Sequence, residues 1–118
     1  MNLVRSLELA RKEFEVRHDI YTWDALGWAL YKNGKFQEAA ETMSQALKLH
    51  TKDAILFFHA GMIYQALGQN SDARDFLVQA LAINPRFHVM YSGVARQQLA
   101  KLDQERLEAA LRKKRNAP

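Results

Sequence analysis

The sequence predicts an all-α fold: an α-solenoid of antiparallel helix hairpins stacked side by side, about two full hairpins with flanking helices at both ends. Three observations lead there. The 118 residues include only two prolines and five glycines, too few breakers for a chain of many short strands. Apolar residues recur at three- and four-residue spacing, the period of a one-sided helix. And the stretch from Trp23 to Leu49 lies over the stretch from Phe57 to Ile83 without a gap, 34 residues on: Gly27 falls on Gly61, Gly34 on Gly68, Ala39 on Ala73, and Gln45-Ala46-Leu47 on Gln79-Ala80-Leu81. A fixed interval held over that length marks one supersecondary unit used twice.

The whole chain, 1–118, reads as a single domain. In its first segment Leu3, Leu7, Ala10 and Phe14 form one stripe. This predicts a helix over 3–17, equivalent to the second helix of a hairpin whose first helix is absent. Its register is off, because Ala10 to Trp23 is two residues longer than Ala46 to Phe57. The chain is therefore expected to begin mid-array, with apolar surface on this helix that drives self-association.

The first hairpin is assigned to 20–53. Trp23, Leu26, Gly27 and Leu30 share a face, Asp19 is placed to cap their helix, and Asn33-Gly34 ends it, since glycine tolerates the left-handed conformation at a helix C-terminus. Phe36, Ala39, Ala40, Met43, Ala46 and Leu47 make the return stripe. The second hairpin, 54–87, repeats this. Asp53 caps, Phe57, Ala60, Gly61 and Tyr64 face inward, Gly68 stops the helix, and Ala73, Leu77, Ala80 and Leu81 return before Asn84-Pro85. A glycine inside a helix costs about 1 kcal/mol relative to alanine. Spending that at the same place twice points to close helix crossing at Gly27 and Gly61, with Ala39 and Ala73 as the small residues opposite.

The interval continues into Tyr91-x2-Val94-Ala95-x2-Gln98. This predicts a helix from about Arg86 to Lys101. Asp103 could cap a last helix from Gln104 to Lys114 carrying Leu107, Ala110 and Leu111. Alternatively, 88–115 is one helix with a polar outer face that caps the stack.

These residues resemble the tetratricopeptide repeat, whose signature is W-x2-L-G-x2-Y, then A-x3-F, then P. The first copy reads Trp23-x2-Leu26-Gly27-x2-Leu30, Ala39-x3-Met43, with Thr51 where proline is usual. The second reads Phe57-x2-Ala60-Gly61-x2-Tyr64, Ala73-x3-Leu77, Pro85. The resemblance covers residues 20–87 in full. It implies a right-handed superhelix and a scaffold that binds other proteins.

Composition narrows the function further. The net charge is +4, from 17 basic and 13 acidic residues. Setting aside Arg112, Lys113, Lys114 and Arg115 leaves 13 of each, so the body is neutral and the excess is a tail. A nucleic-acid-binding domain spreads its charge along a face. The preferred reading of the tail is that cations complement a helix C-terminus; a nucleic-acid or anionic-lipid patch is the alternative. There is no cysteine, no signal-peptide pattern and no apolar run long enough for a bilayer. The default expectation is a cytoplasmic protein, with a piece of a secreted or periplasmic one as the alternative. His18, His50, His59 and His88 have no metal-ligand spacing and read as turn or surface residues, and Asp24 reads as a solvated acid. No phosphate loop or nucleophile elbow is present. No catalytic residue, metal or cofactor is expected.

In a stack of this kind the first helix of each hairpin lines the concave side. Its remaining face carries Tyr21, Asp24, Trp28 and Tyr31, then Ile55, Phe58, His59, Met62 and Gln65, then Val89, Ser92, Arg96 and Leu99. A solvated face should be charged; this one is mostly aromatic and aliphatic, as interface cores are. Relatives that grip chaperone-tail carboxylates use lysine and asparagine here, and Asp24 and Trp28 depart from that. The expectation is a groove for a partner's peptide or helix. Three alternatives stay open: that these side chains fill the groove themselves, that the segment is a structural end of a longer array, and that the basic tail serves a nucleic-acid adaptor.

Overall fold

A computed structural model describes residues 2–117; Met1 and Pro118, which the single-domain assignment includes, lie outside the described residues. Among the described residues six helices follow in order: α1 Leu3–Val16, α2 Ile20–Lys32, α3 Phe36–Leu47, α4 Ala54–Ala66, α5 Asn70–Ile83 and α6 Tyr91–Arg115. No strand occurs among the described residues. The molecule is elongated, 58 × 28 × 27 Å, as expected when each unit touches mainly its neighbours.

The local signals act where the sequence puts them. Asp19 accepts from the Thr22 amide while the Thr22 hydroxyl accepts from the Asp19 amide, a reciprocal cap on α2. Asp53 accepts from the Ile55 amide at the head of α4. Gly34 and Gly68 sit at φ +76° and +77°, the left-handed turns that let α3 and α5 fold back. Thr51, standing where a proline is usual, accepts from the Asp53 amide at 2.9 Å and so holds the connector by a hydrogen bond.

Two hairpins, α2–α3 and α4–α5, close on the inward stripes. Leu26, Leu30, Ala39, Met43 and Ala46 join Leu56, Ala60 and Ile63 in one buried cluster. Phe58, Ala73, Leu77 and Ala80 join Ala95 and Leu102 in the second. Trp23, Phe57 and Tyr64 pack half-buried against these clusters. Gly27 faces the Ala39 carbonyl and Gly61 the Ala73 carbonyl across each crossing; both helix pairs approach closely there, and more tightly at Gly61.

One expectation needs correction, at the C-terminal end. The N-terminal helix packs on the first hairpin. Leu7 is buried and Ala10 and Phe14 pack on the first cluster, with Phe14 edge-on to Trp23 at 4.4 Å. Arg11 bonds Glu38 of α3. Residues 17–19 absorb the longer spacing, with Arg17 and Asp19 in extended backbone. Leu3, Val4, Leu9 and Val16 remain exposed. At the other end, α6 starts at Tyr91, five residues later than the periodicity suggests. The ring Nδ1 of His88 accepts from the Met90 and Tyr91 amides, and the His88 amide donates to the Ser92 hydroxyl. These bonds hold 86–90 as a turn. Of the two alternatives for 88–115, the single helix is observed. Asp103 caps nothing; it accepts from Arg74 of α5 at 2.7 Å.

Candidate functional site

The first helices of the units, α2, α4 and α6, lie side by side, so a residue on one meets the residue about one interval later on the next. The aromatic positions of the expected groove therefore stack on one another. Trp28 lies flat on His59 (centroids 4.0 Å) and on Tyr31 (4.7 Å). Phe58 lies flat on Tyr91 (4.8 Å), and Tyr91 on His88 (4.1 Å). Phe87 closes against Phe58. The result is a ladder from the first hairpin to the turn before α6.

Burial sorts the expected groove residues into two sets. Phe58 and His59 are 1% and 7% exposed; they are core rungs, not surface a partner can reach. Burial also pushes the Tyr31 phenol above its ordinary pKa. Tyr21 is 69% exposed, Arg96 is exposed, and Asp24, Trp28, Tyr31, Ile55, Met62 and Gln65 are partly so. The side-chain amide of Gln65 donates to Gln98 at 2.8 Å, tying α4 to α6 along the same face. In α6, Ser92 is buried and Leu99 half-buried; Val89, in the turn before it, is exposed.

Asp24 and His59 differ from their sequence reading. Asp24 Oδ1 and His59 Nδ1 are 2.8 Å apart, from α2 to α4, with side chains only 19% and 9% exposed. A polar pair enclosed by rings must satisfy itself, and it does: among the described residues no buried side-chain nitrogen or oxygen lacks a hydrogen-bond partner. The signal was present in the sequence, since Asp24 and His59 stand 35 residues apart, one interval plus one. Periodicity within each helix does not report it.

Beyond the ladder, Arg86, His88, Val89, Ser92, Gly93 and Arg96 line a cleft of about 360 Å³. The Arg96 guanidinium donates to the Pro85 carbonyl. The face thus runs from an apolar and aromatic middle to a cationic end. Val89 and Arg96 belong to the expected groove face; Arg86 and Phe87 were not anticipated there, because 86–90 reads as helix from its spacing.

The remaining surface offers little chemistry. No group of three His, Asp or Glu able to hold a metal occurs among the described residues, and no described helix is long and apolar enough to cross a membrane. Arg112, Lys113, Lys114 and Arg115 occupy the last turn of α6, where cations complement the helix dipole.

A family model described as tetratricopeptide repeat matches residues 30–96, more than half of the chain. No curated protein matches it.

Proposed function

The chain belongs to the tetratricopeptide repeat family, and from that premise we propose that it is a protein-binding module, without catalysis of its own, that takes a partner's segment across the face of α2, α4 and α6. Tetratricopeptide repeats are protein-interaction modules. The observation that supports this face is its chemistry. Trp28, Tyr31, Ile55 and Met62, partly exposed, and the exposed Tyr21 give this face apolar surface where a merely solvated face would carry charge.

The ladder beneath this surface is stacked and hydrogen-bonded, so little ordering entropy is lost on binding. The face ends at Arg86 and Arg96. The matching ligand is an amphipathic helix or extended segment with an apolar stripe and an acidic end.

The test must spare the buried rungs. Replacing Phe58 would collapse the core and prove nothing about binding. The informative variant is Tyr21→Asp with Met62→Asp, set against Val78→Asp on α5 as a control elsewhere. Cross-linking capture followed by mass spectrometry should lose a partner with the double variant and keep it with the control, at equal helicity. Identical partner profiles for all three proteins would overturn the groove reading.

A further inference from the structure

The two histidines of the ladder are held in opposite ways. At His59, Nδ1 meets Asp24 Oδ1 at 2.8 Å. A carboxylate oxygen only accepts, so this nitrogen carries a hydrogen whether the ring is neutral or charged. At His88, Nδ1 meets the Met90 amide at 3.0 Å and the Tyr91 amide at 3.1 Å. Amides only donate, so this nitrogen is bare and the ring hydrogen sits on Nε2. A further proton leaves the contact at His59 intact. At His88 it sets a third donor against the two amides.

The surroundings of His88 supply no acceptor in exchange. Arg86 and Arg96 line the same cleft, so a charged ring is a third cation there. The first amides of α6 add the positive end of the helix. Tyr91, stacked on the ring at 4.1 Å, attracts a cation through its face but does not replace the bonds lost. The next titratable groups along the ladder are His59 and Asp24, already tied to each other. Among the described residues no carboxylate forms a salt bridge with His88. The ring is half-buried, within reach of solvent protons.

We propose that His88 is a proton-operated latch: the neutral ring caps α6 and closes the turn 86–90 at the cationic end of the α2–α4–α6 face, and protonation releases it. An imidazole gains its proton between about pH 8 and about pH 5. The bonds from the Arg86 and Phe87 amides to Asn84 hold the start of the turn and are untouched. Release is therefore local to 88–91: the first amides of α6 lose their acceptor and Tyr91 loses the ring stacked on it, while the Asp24–His59 tie keeps the middle of the face in place. The latch regulates the shape of one end of the binding face and rests on that reading only for its use; the latch itself belongs to the free chain.

The 118-residue chain alone tests it. Two-bond proton–nitrogen NMR spectra at about pH 8 should show the His88 hydrogen on Nε2 and the His59 hydrogen on Nδ1. As the pH is lowered to about 5, the Met90 and Tyr91 amide signals should move together with the His88 ring signals. His88→Asn offers those amides a neutral oxygen that does not titrate, and His88→Ala offers none. From about pH 8 to about pH 5 the melting temperature of the wild type should fall away from that of His88→Asn by a few degrees and approach that of His88→Ala. A hydrogen on Nδ1 of His88 at about pH 8, Met90 and Tyr91 amides indifferent to the His88 titration, or a gap between wild type and His88→Asn that does not change with pH would each overturn the latch. Loss or retention of a partner in Tyr21→Asp with Met62→Asp bears on the face and leaves these readings unchanged.

Discussion

In the first hairpin, a methyl group placed on Gly27 would lie 3.1 Å from the Cε of Met43 and 3.6 Å from the Ala39 carbonyl oxygen. In the second, one placed on Gly61 would lie 2.7 Å from Cδ2 of Leu77, 2.8 Å from its Cγ and 3.3 Å from the Ala73 carbonyl oxygen. The two crossings share register, residue and purpose. They differ in what stands opposite. Methionine is unbranched and can swing its terminal methyl aside. Leucine presents a branch point close to the backbone, and Leu77 is fully buried. The same glycine is thus a preference in one unit and a requirement in the other, a difference that a shared repeat pattern conceals.

The largest way to break this comparison is Gly61→Leu. Overpacking at a crossing closed by the buried Leu77 and the Ala73 carbonyl costs about 3 kcal/mol or more, and we expect the α4–α5 hairpin to lose its fold, visible as lost helicity and a lost or sharply lowered melting transition. An unchanged melting curve would remove close approach as the reason for the glycine.

Next come the paired alanine variants. Gly27→Ala gains about 1 kcal/mol of helix propensity and asks only for a methionine shift, so it should be neutral or stabilising. Gly61→Ala gains the same propensity but meets Leu77, and should destabilise by about 1–2 kcal/mol. Chemical denaturation of both proteins checks the sign. The cause can then be isolated by exchanging the opposing residue. In a double-mutant cycle, Leu77→Met should recover about 1 kcal/mol of the Gly61→Ala loss. Additive effects would show that the leucine branch is not the obstacle.

The smallest contrast lies at the caps. Asp19 takes part in a reciprocal pair of bonds, and Asp53 accepts a single one. Asp19→Ala should therefore lower the melting temperature by more than Asp53→Ala, by a few degrees at most. The Asp19 carboxyl is held below its ordinary pKa, first by the Thr22 amide and also by Arg17. A depressed carboxylate pKa means that its contribution is present above the ordinary value and fades as pH falls through the folded value. The gap between wild type and Asp19→Ala should accordingly close in acid and persist at neutral pH.

The sequence carried most of the fold and less of the site. The caps at Asp19 and Asp53, the turns at Gly34 and Gly68 and the two inward stripes were all legible, because each depends on residues within a few positions of one another. The late start of α6 was not. It depends on a histidine ring capping two amides, which hydrophobic spacing does not register. The aromatic character of the α2–α4–α6 face was legible, but whether Phe58 and His59 open to solvent or close on Trp28 and Tyr91 depends on how adjacent helices pack.

The sequence by itself determined the repeated unit: its length, its helix limits, its turns and the need for a small residue at each crossing. These follow from backbone hydrogen bonds and side chains three, four or 34 positions apart, distances a single chain states directly. Tertiary structure alone decided that Asp24 meets His59, that the aromatic face stacks upon itself, that Leu77 makes the second crossing stricter than the first, and that the last helix runs on with two leucines in solvent. Each of those outcomes is set by the angle and separation at which whole helices settle against one another, which is a property of the assembled stack.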